Sequence, residues 1–231
     1  RVTPETMIGT HRYVLSSDRK KALVTSSQFQ SAPTTEVVRL SDHARQLVAE
    51  ANSKLRAQVE SANLPPSEFF RVDIGDGVEL DAWCILPPDL NPSKKYPLIV
   101  YVYGEPAGQT VVDNWGGDRM LWHCMLAQEG YVVMSFDNRG TPAPRGSQWR
   151  KSVYRQIGIL ASADQAAAVK SVLKERPYLD PERIGVWGWS GGGSMTLNAL
   201  FRYPDIYSSG VSIAPVPNQL YYDTIYQERY M

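Results

Sequence analysis

The segment Gly188-Trp189-Ser190-Gly191-Gly192 has residue types and spacing that could do chemistry. It fits G-x-S-x-G, with an apolar run, 184–187, before it and a helix-like segment after it, which is the setting of a nucleophile elbow. In such an elbow the serine sits on a tight turn between strand and helix, so its hydroxyl projects from the carboxyl edge of a sheet. Glycines two positions before and after remove the β-carbons where the two elements approach. The N–H of the next residue, Gly191, then points to where a tetrahedral oxyanion would form, so attack and charge stabilisation share one turn. The competing reading is a glycine-rich turn that binds phosphate or nothing. Against it, the P-loop pattern lacks its lysine, and a dinucleotide fingerprint wants its glycines after the first strand.

A serine hydroxyl needs a base to take its proton, and in this architecture the chain order is Ser, then Asp or Glu, then His. The histidines are His11, His43 and His123, and all precede Ser190. The triad therefore does not close in that order within these residues. His123 sits in an apolar helical stretch and reads as a packed residue, and Asp205 and Asp223 follow the elbow too soon to be assigned as the triad acid.

The elements that must position Ser190 are legible from periodicity. Residues 11–15, 22–25 and 36–40 read as short strands between polar turns, with an expected break at Pro33, and 45–60 as a strand followed by a helix from about Ser53. Pro65-Pro66 punctuates the chain. A hairpin follows, 69–74 and 78–86 around Gly75-Asp76-Gly77, with Val78, Leu80, Ala82, Cys84 and Leu86 on one face. Beyond it come short continuous apolar runs, 98–103, 131–136, 184–187 and 210–214, the texture of strands buried on both faces. Helical patterns at 118–129, 162–175 and 192–203 alternate with them, so the order predicts a doubly wound α/β sheet. The domain boundary is placed at 61–68, giving regions 1–64 and 65–231.

Composition narrows the partners. Lys plus Arg and Asp plus Glu number 24 each, so there is no basic surplus of the kind that captures nucleic acid by counterion release. With 43% hydrophobic and 21% charged residues, disorder across the whole length is excluded. No run approaches the 18 or more apolar residues of a membrane span, residues 1–10 contain no signal-peptide core, and the first residue is not Met. Two cysteines, Cys84 and Cys124, provide neither a disulfide framework nor metal-ligand spacing and read as buried thiols.

On these residues the chain resembles the prolyl oligopeptidase family of serine peptidases, in its dipeptidyl peptidase IV branch. Gly188-Trp189-Ser190 is similar to the branch's nucleophile motif, Asp137-Asn138-Arg139-Gly140 to its Asp-x-Arg-Gly turn, and 221–231 to its specificity segment. The resemblance implies the last antiparallel strands of a β-propeller in 1–64 and the first part of an α/β-hydrolase domain in 65–231. By it the sequence is an interior segment whose triad Asp and His lie outside it. Tyr103 matches the tyrosine whose hydroxyl completes the oxyanion hole with the Gly191 N–H, and Val216, Tyr222 and Tyr226 match the pocket for the residue before the cleaved bond, usually proline or alanine. Unassisted by the resemblance, Tyr103 could equally cover the core at a strand end, and the two tyrosines could pack as a helix face.

Three positions depart from the family's pattern: Gln219 replaces a tryptophan, Gly191 a tyrosine, and Glu105 the glycine of a Tyr-x-Gly-Pro turn. The resemblance further implies a peptide substrate, release of N-terminal dipeptides after Pro or Ala, and no metal or organic cofactor. It also implies a periplasmic, secreted or membrane-anchored setting and a homodimer for the full-length protein, with this segment inactive by itself. An esterase or acylaminoacyl peptidase of the same fold, and a non-catalytic binding protein, stay open as alternatives.

Overall fold

A computed structural model describes residues 3–230. The chain forms two compact units, Arg1–Leu64 with Val112–Cys124, and Pro65–Val111 with Met125–Met231.

In the first unit β1 (Thr10–Leu15), β2 (Lys21–Gln28), β3 (Ser31–Arg39) and β4 (Arg45–Glu50) pair in chain order as an antiparallel sheet. Alternation along β2 buries Ala22 and Val24, which meet Val38, Tyr13 and Leu40 in a small core. Pro33 does not end a strand, contrary to the expectation from its type. It lies in β3 beside a register shift between Ser26 and Gln28 of β2, and β4 pairs only from Thr35 onward, so no ladder bond is demanded of its missing N–H. The helix expected from Ser53 is α1 (Ser53–Ser61).

The second unit is built on a six-stranded sheet. Its strands are β5 (Ser67–Asp73), β6 (Glu79–Ile85), β7 (Tyr96–Tyr101), β8 (Val132–Asp137), β9 (Leu179–Trp189) and β10 (Ser209–Ile213), ordered β10-β9-β7-β8-β6-β5. β5 and β6 are the expected hairpin, β6 meets β8 antiparallel, and β7 is parallel to both β8 and β9. Every residue of β8 is buried, so Val132, Val133 and Met134 run together without alternation, and the buried Ser135 and Asp137 are hydrogen-bonded.

Helix α2 (Gly117–Gln128) is divided between the two units, and this unit also holds α3 (Gly146–Lys151), α4 (Leu160–Glu175), α5 (Gly191–Arg202) and α6 (Thr224–Tyr230), with a 3₁₀ turn at Gln219–Tyr221. α2 ends as its glycine predicts: Gly130, at φ 91°, donates to the Ala127 carbonyl and Tyr131 to that of Leu126. The short helix α3 follows a polar Pro/Gly-rich stretch and has no periodicity to announce it. Apolar side chains of α4 (Ala168, Val169, Val172) and α5 (Met195, Ala199) join Leu98, Val100, Met134 and Phe136 of the strands in one core. Cys84 and Cys124 are both buried free thiols.

The turn after β8 is tied to α4 by charge. Asp164, 1% exposed in its side chain, accepts from Arg139 N (3.0 Å), Nε (3.0 Å) and Nη2 (2.6 Å). Removing one partner of a fully buried pair costs ~3–5 kcal/mol, and the Arg139 side chain keeps 32% of its surface in solvent. Asp164→Ala is therefore expected to destabilise this unit by about 3 kcal/mol, measured as a lowered midpoint in chemical denaturation. Asp164→Asn, which retains an acceptor, is expected to lose less.

Candidate active site

Ser190 lies between β9 and α5 at φ 55°, ψ −117°, a backbone region that costs a non-glycine residue on the order of 1–3 kcal/mol. Hydrogen bonds on both sides hold it there. Ser190 N donates to the Ile213 carbonyl of β10 (2.9 Å), and Ser194 N donates to the Ser190 carbonyl (3.0 Å) in the first turn of α5.

The glycines of the motif are explained by one neighbour. A β-carbon on Gly188 or on Gly192 would fall inside contact distance of the Val102 carbonyl oxygen, at the end of β7. Val102 N is itself bonded to the Trp187 carbonyl of β9 (2.9 Å). The same close approach that needs glycine thus brings the residue after Val102, Tyr103, to the elbow.

Tyr103 is held from several directions. Gly108 turns back over its ring, so that a β-carbon there would meet Cε1 at 3.0 Å. The Gly104 carbonyl accepts from Asn138 Nδ2 (2.9 Å), and the far end of the loop is held by Asp137. That carboxylate accepts from Thr110 N (2.8 Å), Val111 N (3.2 Å) and Gln109 Nε2 (3.2 Å). Desolvation raises the Asp137 pKa, and these bonds oppose the rise. Gln165 of α4 completes the scaffold, donating to the Phe136 carbonyl (2.7 Å) and to Asn138 Oδ1 (3.1 Å). Burial, helped by the nearby Glu105, Tyr222 and Tyr230, pushes the Tyr103 hydroxyl up to about 12, so it stays a proton donor at ordinary pH.

Residues of the 216–230 segment are fixed by hydrogen bonds and ring contacts. Ser194 Oγ accepts from Val216 N (2.9 Å) and donates to the Val216 carbonyl (3.1 Å), stapling that segment to α5. Tyr222 and Tyr226 meet edge to face at 5.3 Å between centroids, and Tyr226 meets Tyr230 at 4.8 Å with the rings tilted by 58°. Asp223, considered above as an early acid, accepts from Tyr226 N (2.7 Å) at the start of α6. A pocket of about 400 Å³ is lined by Glu105, Ser194, Val216 and Gln219 among others. Glu105 is 5% exposed, its pKa raised by burial, and it accepts a hydrogen bond from the Tyr226 hydroxyl.

The structure therefore assembles Ser190, Gly191, Tyr103, Val216, Tyr222 and Tyr226 within one unit. The histidines all belong to the other. His11 Nδ1 is hydrogen-bonded with Ser26 Oγ (2.9 Å) and His43 Nε2 with the Tyr13 hydroxyl (3.1 Å). His123 is 2% exposed and burial holds its pKa down near about 3, so it is neutral. Sequence reasoning missed Ser194 and Gln165 as supports because a single polar residue in a helix carries no periodic or spacing signal, and it missed the bonds of Asn138 because they are to residues distant in the chain.

Such an arrangement can present a hydroxyl nucleophile, a backbone N–H and a phenol to one carbonyl group. The model of the prolyl oligopeptidase family matches residues 120–231. Dipeptidyl peptidase 4 of Trichophyton equinum is 34% identical over 210 residues, covering 90% of this chain and 27% of that protein. Its counterpart from Arthroderma otae is 33% identical over the same length and shares. The crystal structure of Porphyromonas gingivalis dipeptidyl peptidase 4 superposes with a TM-score of 0.91 at 36% identity, covering 98% of this chain and 32% of that one. The chain thus spans about a quarter of the length of the curated relatives it matches. The expected fold class, α/β-hydrolase strands preceded by antiparallel propeller strands, is borne out by these neighbours and by the two sheets. On the strained serine turn, the strand order and these matches together, the chain belongs to the prolyl oligopeptidase family.

Proposed function

We propose that this chain carries the nucleophile, the oxyanion hole and part of the substrate pocket of a serine peptidase that releases N-terminal dipeptides. The observation that carries the reading is Ser190 at φ 55°, ψ −117° between glycines that the Val102 carbonyl crowds, the strained strand-to-helix turn expected of a nucleophile.

Ser190 Oγ attacks the carbonyl carbon of the residue before the scissile bond, called P1, and its proton passes to a histidine supplied outside these residues. The carbonyl oxygen becomes an oxyanion that accepts from the Gly191 N–H and the Tyr103 hydroxyl. Collapse breaks the C–N bond, the amine leaves with the histidine's proton, and water then hydrolyses the acyl ester. Val216, Tyr222 and Tyr226 form the wall on which the P1 side chain rests. By family resemblance that residue is proline or alanine, whose flat or small side chains suit aromatic walls.

The intact protein should react with a fluorophosphonate probe at Ser190, and Ser190→Ala should abolish that label; undiminished labelling would remove Ser190 from the mechanism. Gly-Pro anilide should be cleaved in preference to an aryl acetate, and the reverse order would favour an esterase. Tyr103→Phe is expected to lower kcat by about a hundredfold or more with a smaller change in KM. Because the Tyr103 hydroxyl titrates only near about 12, its donor role is retained throughout ordinary pH and lost above that value. The Tyr103 contribution, read as the ratio of wild-type to Tyr103→Phe rates, should accordingly stay flat between pH 6 and about pH 10.

A further inference from the structure

Three departures from the family's pattern, Glu105, Gly191 and Gln219, meet in one place. A β-carbon on Gly191 would lie 2.5 Å from Glu105 Oε2 and 2.6 Å from Cδ, so the carboxyl group occupies the space that a side chain at 191 would fill. The two exchanges are therefore halves of one change: an aromatic next to the serine is replaced by an acid reaching in from the turn after β7. Gln219, in place of a tryptophan, lines the same pocket of about 400 Å³, several times the volume of a pyrrolidine ring.

The polar groups brought in this way are short of donors. Glu105, buried to 5% exposure, accepts from the Tyr226 hydroxyl, and among the described residues no cation forms an ion pair with it. Arg155 lines the pocket too, but it is exposed, and its charge is not among the influences on the carboxyl group, which are burial and Tyr226. Gln219 Oε1 is buried without a hydrogen-bond partner. A buried carboxylate with no counter-charge and an unsatisfied amide oxygen are both costly, and a cationic donor entering the pocket would relieve both.

We propose that Glu105 determines specificity in this protein: the pocket accepts a P1 side chain that ends in a cation, lysine or arginine. The Glu105 carboxylate is its counter-charge and Gln219 Oε1 a second acceptor. The proposal rests on the serine-peptidase reading above and replaces the proline or alanine that the family resemblance gives for P1. It also has a consequence for the reaction. Glu105 Oε2 lies against Gly191, whose N–H is to hold the oxyanion, so an ionised and unpaired Glu105 would oppose the charge that develops there. A P1 cation neutralises it, and its benefit then appears in kcat as well as KM.

The test uses the full-length protein with dipeptidyl anilides that share one P2 residue and carry Lys, norleucine, Ala or Pro at P1. Lys should exceed norleucine, an uncharged chain of similar length, by at least about tenfold in kcat/KM, and Glu105→Gln should lower the Lys-to-Ala ratio by at least about tenfold. Fluorophosphonate labelling of Ser190 in Glu105→Gln reports that the variant is folded and its nucleophile intact. Cleavage of the Pro or Ala substrate with Lys no better than norleucine overturns this proposal alone. So does a Glu105→Gln variant that lowers all four substrates equally, which would make Glu105 a structural partner of Tyr226. Absence of both cleavage and Ser190 labelling overturns the peptidase reading, and this proposal with it.

Discussion

The carbonyl oxygen of Val102 sits in the space where β-carbons of residues 188 and 192 would otherwise stand. Nearly every feature of the site depends on that approach. It requires glycine on both sides of Ser190, it forces the serine into a left-handed conformation, and it sets Tyr103, one residue further on, beside the elbow. The strain is tolerable because sheet pairing on both flanks of β9 surrounds it: Val102 N bonds to Trp187 on one side and Ser190 N to Ile213 on the other.

A second layer keeps the loop after β7 from relaxing. Asp137 and Asn138, at the end of the fully buried β8, hold the two ends of the 104–111 segment, while Arg139 anchors the same turn to Asp164 of α4. One four-residue turn thus serves both the sheet and the oxyanion side of the site. The side chains of Asp137 and Asn138 are buried, yet each has partners, which is the condition under which a buried polar network rigidifies rather than weakens a core.

Some of this was legible in residue order. The elbow, the hairpin around Gly75-Asp76-Gly77, the buried parallel strands and the helix closed by Gly130 are local patterns, and the sequence places them within a few residues of their observed ends. Where reading failed, the cause was tertiary. Pro33 was expected to break a strand, but a bulge and a short neighbouring strand remove the demand for its N–H. The short α3 has too few residues to display a period. Ser194 looked like one more small residue of a helix, and only the fold brings Val216 to its hydroxyl.

By itself the sequence pointed to a serine nucleophile, because G-x-S-x-G is a pattern among five adjacent residues and the chain's own connectivity holds them together. Set beside the family it resembles, it also shows Glu105, Gly191 and Gln219 as departures, though as three separate oddities. Only the tertiary structure decided that they are one feature. Residues 105 and 226 are 121 positions apart, and they meet because the strand order β10-β9-β7 puts the segment after β7, which holds Glu105, and the segment after β10, which holds Tyr226, on either side of β9. Local propensity carries no information about such a contact, since it depends on which strands pair and not on what either segment prefers alone.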